Sequence, residues 1–200
     1  MKNYLYIGEN IGRIFALFSE NHVSNWKGYS EDENQDSDYN DLIEIINFDE
    51  TDLTHYKNRN SDYYIFFSMS TKIEIFKNLN SLLILDGFFF NQKLKTENIL
   101  EINEVKKLDH KIKIERSRTI IMDAACSGKD INISDKKSGV YGMEKTKVNY
   151  YAIVELEPGL YDSKVVDVSV KVENGIDVLS GIKIDKLAPA TTSPDSYRGD

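Results

Sequence analysis

A chain of 200 residues with 40% hydrophobic and 29% charged side chains has the makeup of a soluble globular protein that can bury a core. Its formal charge of −8, with no dense basic stripe, argues against direct nucleic-acid binding. The longest apolar runs stop short of the roughly 18 residues of a membrane span. The N-terminal MKNYLYIGENIGRIF has no signal-peptide apolar run, and the lone Cys126 leaves neither an intramolecular disulfide nor a multi-cysteine zinc site, so a cytoplasmic protein is expected.

In chain order, Asn3 to Ile7 and Ile11 to Phe18 are short apolar runs split by Gly8-Glu9-Asn10. They suit two strands meeting at a turn, although Ile11, Ile14, Phe15 and Phe18 also match helical spacing. Ser19 to Ser24 reads as loop. Trp26-Lys27-Gly28 then places the only tryptophan two residues ahead of a glycine, the pattern of a core anchor beside a backbone position that needs an unusual angle or a close approach.

Between Gly28 and Tyr56 there is no Lys or Arg, whereas Glu31, Asp32, Glu33, Asp36, Asp38, Asp41, Glu44, Asp49, Glu50 and Asp52 supply ten carboxylates. Leaving those ten out of the 33 acids leaves 23 against 25 basic residues, a remainder of +2, so the acidity is local. Such a concentration of charge steers a cationic partner through its summed field. A solvated acidic loop accounts for it equally well. Ser30 to Ser37 contains no hydrophobic residue and is expected on the surface. Beyond it, Tyr39, Leu42, Ile43 and Ile46 fit a helical face with Ser37 or Asp38 as N-cap. The alternation around Ile43-Glu44-Ile45 favours a strand over Leu42 to Phe48, and strand is the reading adopted here.

From Asp62 to Phe90 the aromatic and β-branched runs DYYIFFSM, TKIEIF and SLLILDGFFF read as strands, with Asp86-Gly87 as a turn signal. Thr96 to His110 is the best helix candidate, because Leu100, Ile102, Val105 and Leu108 can form an apolar stripe with Lys106 and Lys107 near its C-terminal end. Lys93 to Arg118 is also where basic residues gather. Thr119 to Met122 is a short strand, and Lys147 to Glu157 alternates through Val148, Tyr150, Ala152, Val154 and Leu156 until Pro158-Gly159 ends it. A second alternation over Val166, Val168, Val170 and Val172 runs into Asn174-Gly175, which predicts a type I′ hairpin with Ile176 to Ile184 returning alongside. The expected fold is α+β, predominantly antiparallel β with one or two helices. Residues 1–187 form a single domain, with 1–92 and 119–187 joined by 93–118 as alternative halves, and 188–200 form a flexible tail.

Motifs for chemistry are weak. Asp32, Asn34 and Asp36 occupy the first, third and fifth places of a calcium loop, but Ser37 stands where its glycine belongs and Ile43 where its bidentate glutamate belongs. Ser127-Gly128-Lys129-Asp130 lacks the first glycine of a phosphate loop and has Asp at the magnesium-binding hydroxyl position. His22, His55 and His110 have no spacing that predicts proximity to one another or to Cys126, which reads as a small buried hydrophobe. No cofactor or metal is expected. A small-ligand enzyme built around Asp123 and Cys126 would need a pocket assembled from distant residues.

The order of Trp26-Lys27-Gly28, Ser37-Asp38-Tyr39-Asn40-Asp41, Leu82 to Gly87, Ile120-Ile121-Met122-Asp123-Ala124-Ala125-Cys126-Ser127-Gly128 and Leu156-Glu157-Pro158-Gly159-Leu160-Tyr161 resembles the immunity protein 21 family of bacterial polymorphic toxin systems. The resemblance runs to about Leu187. It departs from the family pattern at Asp86-Gly87-Phe88-Phe89-Phe90. It implies a cytoplasmic, non-catalytic protein that binds and neutralises a cognate toxin domain, of which a nuclease with a positively charged cleft is one form. Trp26, Gly28, Asp123, Gly159 and Tyr161 would be structural. The expected partner-binding face comprises the ten acids named above, with Tyr29, Tyr39 and Tyr56 as aromatic anchors. The alternative is a non-enzymatic β-rich interaction module of a larger assembly.

Overall fold

The computed structural model describes residues 3–7, 14–32, 35–46, 53–68, 72–86, 94–143 and 150–188. Among them the strands are β1 (Asn3–Ile7), β2 (Ile14–Ser19), β3 (Leu53–Asn58), β4 (Ser61–Phe67), β5 (Ile73–Asn78), β6 (Ser81–Asp86), β7 (Ile99–Lys107), β8 (Ile112–Ile114), β9 (Arg118–Asp123), β10 (Gly139–Gly142), β11 (Tyr150–Glu155), β12 (Gly159–Val172) and β13 (Gly175–Lys186). One α-helix, α1 (Asp38–Ile45), and three short 3-10 segments complete the set. The fold is thus predominantly antiparallel β with little helix.

Two sheets carry the chain. One has the order β1-β5-β6-β13-β12-β7, with β8 also paired to the start of β12, and the other has the order β10-β11-β9-β2-β4-β3. The period-2 patterns explain why they stack. On β6, Leu82 and Ile84 turn inward; on β13, Ile182 and Ile184 do the same; from the second sheet come Phe15, Leu17, Phe66, Ile121 and Val154. Together they form one core between the layers, as in a β-sandwich. Each sheet mixes strands from before residue 92 with strands from after 119, and the segment read as a possible joiner supplies Leu108, Ile112 and Ile114 to the same core.

The other face of the second sheet is also apolar. Ile14, Ala16, Phe18, Tyr63, Ile65, Met122 and Ile153 lie there, covered by Val23, Trp26, Leu42, Cys126 and Ile131 from the connecting segments. This second core is what holds α1 and the loop before it against the sandwich.

Several expectations need correction. β1 and β2 do not meet as a hairpin, since β1 pairs with β5 in one sheet and β2 with β4 and β9 in the other. Residues 99–107 are a strand where a helix was expected. The cause is two irregularities in the pairing of β7 with β12: Val165 pairs with Lys106 and Val166 with Glu104, then Ser169 pairs with Glu101 and Val170 with Ile99. Val105 and Leu100 are the skipped residues. Each extra residue resets the alternation, so Ile99 and Ile102, three apart, both pack on one face of the sheet and imitate helical spacing. Conversely, residues 38–45 are helical where a strand over 42–48 was favoured, and Ser37 caps them by accepting from the Asn40 N–H at 3.1 Å. Ser37 is itself buried, although surface was expected for all of Ser30 to Ser37. β3 was not foreseen as a strand.

The C-terminal hairpin is present, with Val172 opposite Gly175, so Glu173 and Asn174 form the two-residue link. Neither has the positive φ of a type I′ turn; the unusual angle falls on Gly175, φ +143°. Between β11 and β12, Gly159 takes φ +149°, and the Tyr161 hydroxyl donates to the Glu157 carbonyl at 2.6 Å, the arrangement of a tyrosine corner. The Asp86-Gly87 turn and the tail from residue 189 lie outside the described residues.

Candidate functional site

The site is built on a lock between two distant segments. The Trp26 indole is fully buried and donates Nε1–H to the Ala124 carbonyl at 2.9 Å. The Gly128 N–H donates back to the Trp26 carbonyl at 3.0 Å, and the Tyr29 N–H donates to the Ala125 carbonyl at 2.9 Å. Gly28 lies between them at φ +68°, where a Cβ would stand 2.6 Å from the Cys126 carbonyl carbon. Only glycine fits that crossing. Trp26, Gly28 and Asp123, whose Oδ1 accepts from the Ala125 N–H at 2.9 Å, are therefore structural parts of one knot.

From this knot the chain leaves as Tyr29, a residue 54% exposed, which meets Tyr39 edge to face with ring centroids 6.0 Å apart. The loop is tied to the helix by Tyr39 N–H donating to the Gly28 carbonyl at 3.3 Å and by Asn40 Nδ2 donating to the Ser30 carbonyl at 3.0 Å. Burial, then the negative charge of Asp123, pushes the Tyr39 hydroxyl above its ordinary range.

Helical geometry sorts the remaining groups, at about 100° per residue. Asp38 and Leu42 face inward. Tyr39 and Ile43, four apart, share the flank that carries Tyr29. Asp41 projects on the opposite flank, and Glu44 points away from the core between the two. Tyr29, Tyr39 and Ile43 thus give this flank an aromatic and aliphatic platform, and Glu31, Asp32 and Glu44, their near neighbours along the chain, are exposed like Tyr29 and Ile43.

The ten carboxylates are not one surface. Asp38, expected on the partner-binding face, is 1% exposed, and its carboxylate accepts from the Lys27 N–H at 2.7 Å, the Tyr56 hydroxyl at 3.3 Å and Asn58 Nδ2. It fastens the helix to β3. Tyr56, expected as an anchor, is buried against Trp26, and burial followed by the charges of Asp38 and Asp41 pushes its hydroxyl far up. Asp36 is exposed but ion-paired with Lys27 and with Arg59 at 3.6 Å; the hydrogen bond from Lys27 leads in holding its carboxyl below the usual range. These two cations flank the basic-free stretch in sequence and fold back onto it. Glu33, Asp49, Glu50 and Asp52 lie outside the described residues. Ile43, which the sequence reading left out of the partner face, belongs to the platform because it follows Tyr39 by one helical turn.

Of the residues of the enzyme alternative, Asp123 and Cys126 lie together at the knot, the Cys126 N–H donating to the Asp123 carbonyl at 3.1 Å. Cys126 is buried in the second core beside the knot. The histidines are elsewhere and closer together than their spacing suggested. On β8 the Lys113 N–H donates to the Tyr64 hydroxyl at 2.7 Å, and just beyond it the Glu115 N–H donates to Ser19 Oγ at 2.9 Å, so this stretch bridges the sheets along one side of the sandwich. There His22 meets Glu115 at 3.1 Å, His55 meets Asp62 at 2.8 Å, and the His55 and His110 rings lie 6.4 Å apart. Asn21, Lys113 and His22 together hold the Glu115 carboxyl down at about 2. Among the described residues no three His, Cys, Asp or Glu side chains are arranged to hold a metal ion, and no helix is long and apolar enough to cross a membrane.

Comparison of the chain with protein-family models, with curated proteins and with solved structures finds no match.

Proposed function

We propose that this chain works by binding, as an immunity protein that neutralises a cognate bacterial toxin domain, and that the platform of Tyr29, Tyr39 and Ile43 rimmed by Glu31, Asp32 and Glu44 is its partner-facing surface. One observation carries the reading: Tyr29 is largely exposed although its own N–H and the preceding Gly28 are locked to the 124–128 segment. An exposed tyrosine on a rigid backbone loses little freedom on docking, which is the property of an interface anchor. The surrounding carboxylates suit a partner with a basic surface and would speed encounter more than they add affinity. The resemblance of the motif order to the immunity protein 21 family supplies the partner class.

The test is capture from an extract of the native bacterium on the immobilised full chain, followed by identification of what is retained. A stoichiometric basic toxin domain, lost when Tyr29→Ala is combined with Glu31→Gln, Asp32→Asn and Glu44→Gln, is the expected result. Retention of the same domain by that variant would move the interface elsewhere, and capture of no toxin at all would sink the functional reading.

A further inference from the structure

His55 and His110 come from different sheets and meet on the open side of the sandwich. His55 is on β3 of the second sheet, and His110 lies between β7 and β8 of the first. Both residues are exposed, and their ring centres are 6.4 Å apart. Each backbone is held in place. His55 stands in register with Tyr64, and the His110 carbonyl accepts from Ser163 Oγ at 2.9 Å, two residues after Leu108 enters the core. The His55 ring is oriented as well, since it stacks on Tyr64 with centroids 5.1 Å apart and its Nε2 lies 2.8 Å from Asp62 Oδ1. An ionised carboxylate only accepts, so Nε2–H donates to it and Nδ1 keeps its lone pair. That is the arrangement around a metal-ligating imidazole, whose other nitrogen is bonded to a carboxylate. Among the described residues the His110 ring makes no hydrogen bond or ion pair, which leaves its nitrogens open to a ligand.

We propose that the two imidazoles bind one divalent transition ion of the zinc or copper class, His55 through Nδ1, and that the ion staples the two sheets together on this side. Imidazole suits these metals. A nitrogen about 2.0–2.1 Å from the ion puts each ring centre about 3.2 Å from it, so two ligating rings have centres about 5.2 Å apart at the tetrahedral angle and about 6.4 Å at most. The observed separation lies at that upper limit, and a change in the side-chain torsions of the exposed His110 brings the rings to the tetrahedral value. The surrounding charges largely cancel. Lys57 stands in register with Asp62, Lys113 pairs with Glu115 and Lys111 with Asp162, while the exposed Asp109 precedes His110. Among the described residues no third His, Cys, Asp or Glu completes the set, so the remaining positions fall to water. With half the ligands of a structural zinc site and roughly half its binding free energy, the dissociation constant falls between about 1 µM and 0.2 mM.

Calorimetric titration of the full chain with zinc chloride, and separately with copper(II) chloride, tests the proposal, together with melting curves in each metal. Binding of a single ion is expected, tighter for copper than for zinc, with none for magnesium. The melting temperature should rise with zinc, because only the folded chain brings the two rings together. His55→Ala and His110→Ala should each weaken zinc binding at least tenfold and abolish the rise. Asp62→Asn keeps both ligands but loses the carboxylate behind His55, and should weaken binding by about tenfold. Both histidines are on the surface, and metal-free melting curves check that each variant is folded. Absence of binding at about 1 mM zinc and copper overturns the proposal, since that exceeds the expected dissociation constant. Binding that survives either histidine substitution overturns it too, because the ion would then be held elsewhere.

Discussion

The main-chain N–H of Tyr29 donates to the carbonyl of Ala125 at 2.9 Å, joining the loop that follows the tryptophan to the turn that follows β9. The crossing is possible because Gly28 has no side chain there. Gly28→Ala forces a Cβ to within 2.6 Å of the Cys126 carbonyl carbon at a φ of +68°. Backbone strain in that region costs about 1–2 kcal/mol before the clash is counted. A loss of about 2–3 kcal/mol is expected in denaturant melts, with weakened partner binding as a consequence of the displaced Tyr29.

Asp38 separates the electrostatics of folding from those of the proposed binding face. Asp38→Ala leaves the Lys27 N–H, the Tyr56 hydroxyl and the Asn58 amide without their common acceptor and should cost about 3 kcal/mol. Glu31→Gln and Asp32→Asn, on the exposed rim, should leave the melting midpoint within about 0.5 kcal/mol of wild type. Equal destabilisation by the two kinds of change would contradict this division.

At the platform, ring and rim should act on different rate constants. Tyr29→Ala removes the anchor and should speed dissociation of a captured partner by about ten- to a hundredfold, the effect of about 1.4–2.8 kcal/mol. Neutralising Glu31, Asp32 and Glu44 together should slow association and flatten its dependence on salt, leaving dissociation much less affected. Stopped-flow mixing across an ionic-strength series distinguishes the two.

Glu115 gives the seam between the sheets an acid limit. Its carboxyl is held at about 2 against an ordinary 4.5, so its contribution to stability is complete above about 4.5 and declines as the pH falls toward 2. Glu115→Gln should therefore melt below wild type at pH 7 by about 1–2 kcal/mol, and the gap should close on acidification through that window. A gap that stays constant down to pH 2 would show that the charge of Glu115 contributes nothing.

What could be read in sequence was what local pattern controls. The period-2 alternation over Tyr150 to Val154 and over Val166 to Val172 marks β11 and β12 because a strand presents successive side chains to opposite layers whatever lies across from it. The hairpin before Gly175 was legible for the same reason, although its turn type was not. Ser37 stood beside Asp38 as one of two cap candidates, because a capping hydroxyl reaches only three residues along the chain, although the helix it caps was set aside for a strand. Where alternation breaks, pattern misleads: the skipped residues Leu100 and Val105 gave β7 a helical spacing, and the run of isoleucines at 43, 45 and 46 gave α1 the look of a strand.

The charge of the acidic stretch was set by its composition, and its division was not. Whether a carboxylate is buried under three donors like Asp38, paired like Asp36 or left on a rim like Glu31 depends on Lys27, Asn58 and Arg59 arriving from other elements. A Coulomb or hydrogen-bond partner is selected by distance in space. Distance along the chain carries no record of it, so only the packed tertiary structure could place Tyr29 over a locked backbone and turn Tyr56 inward.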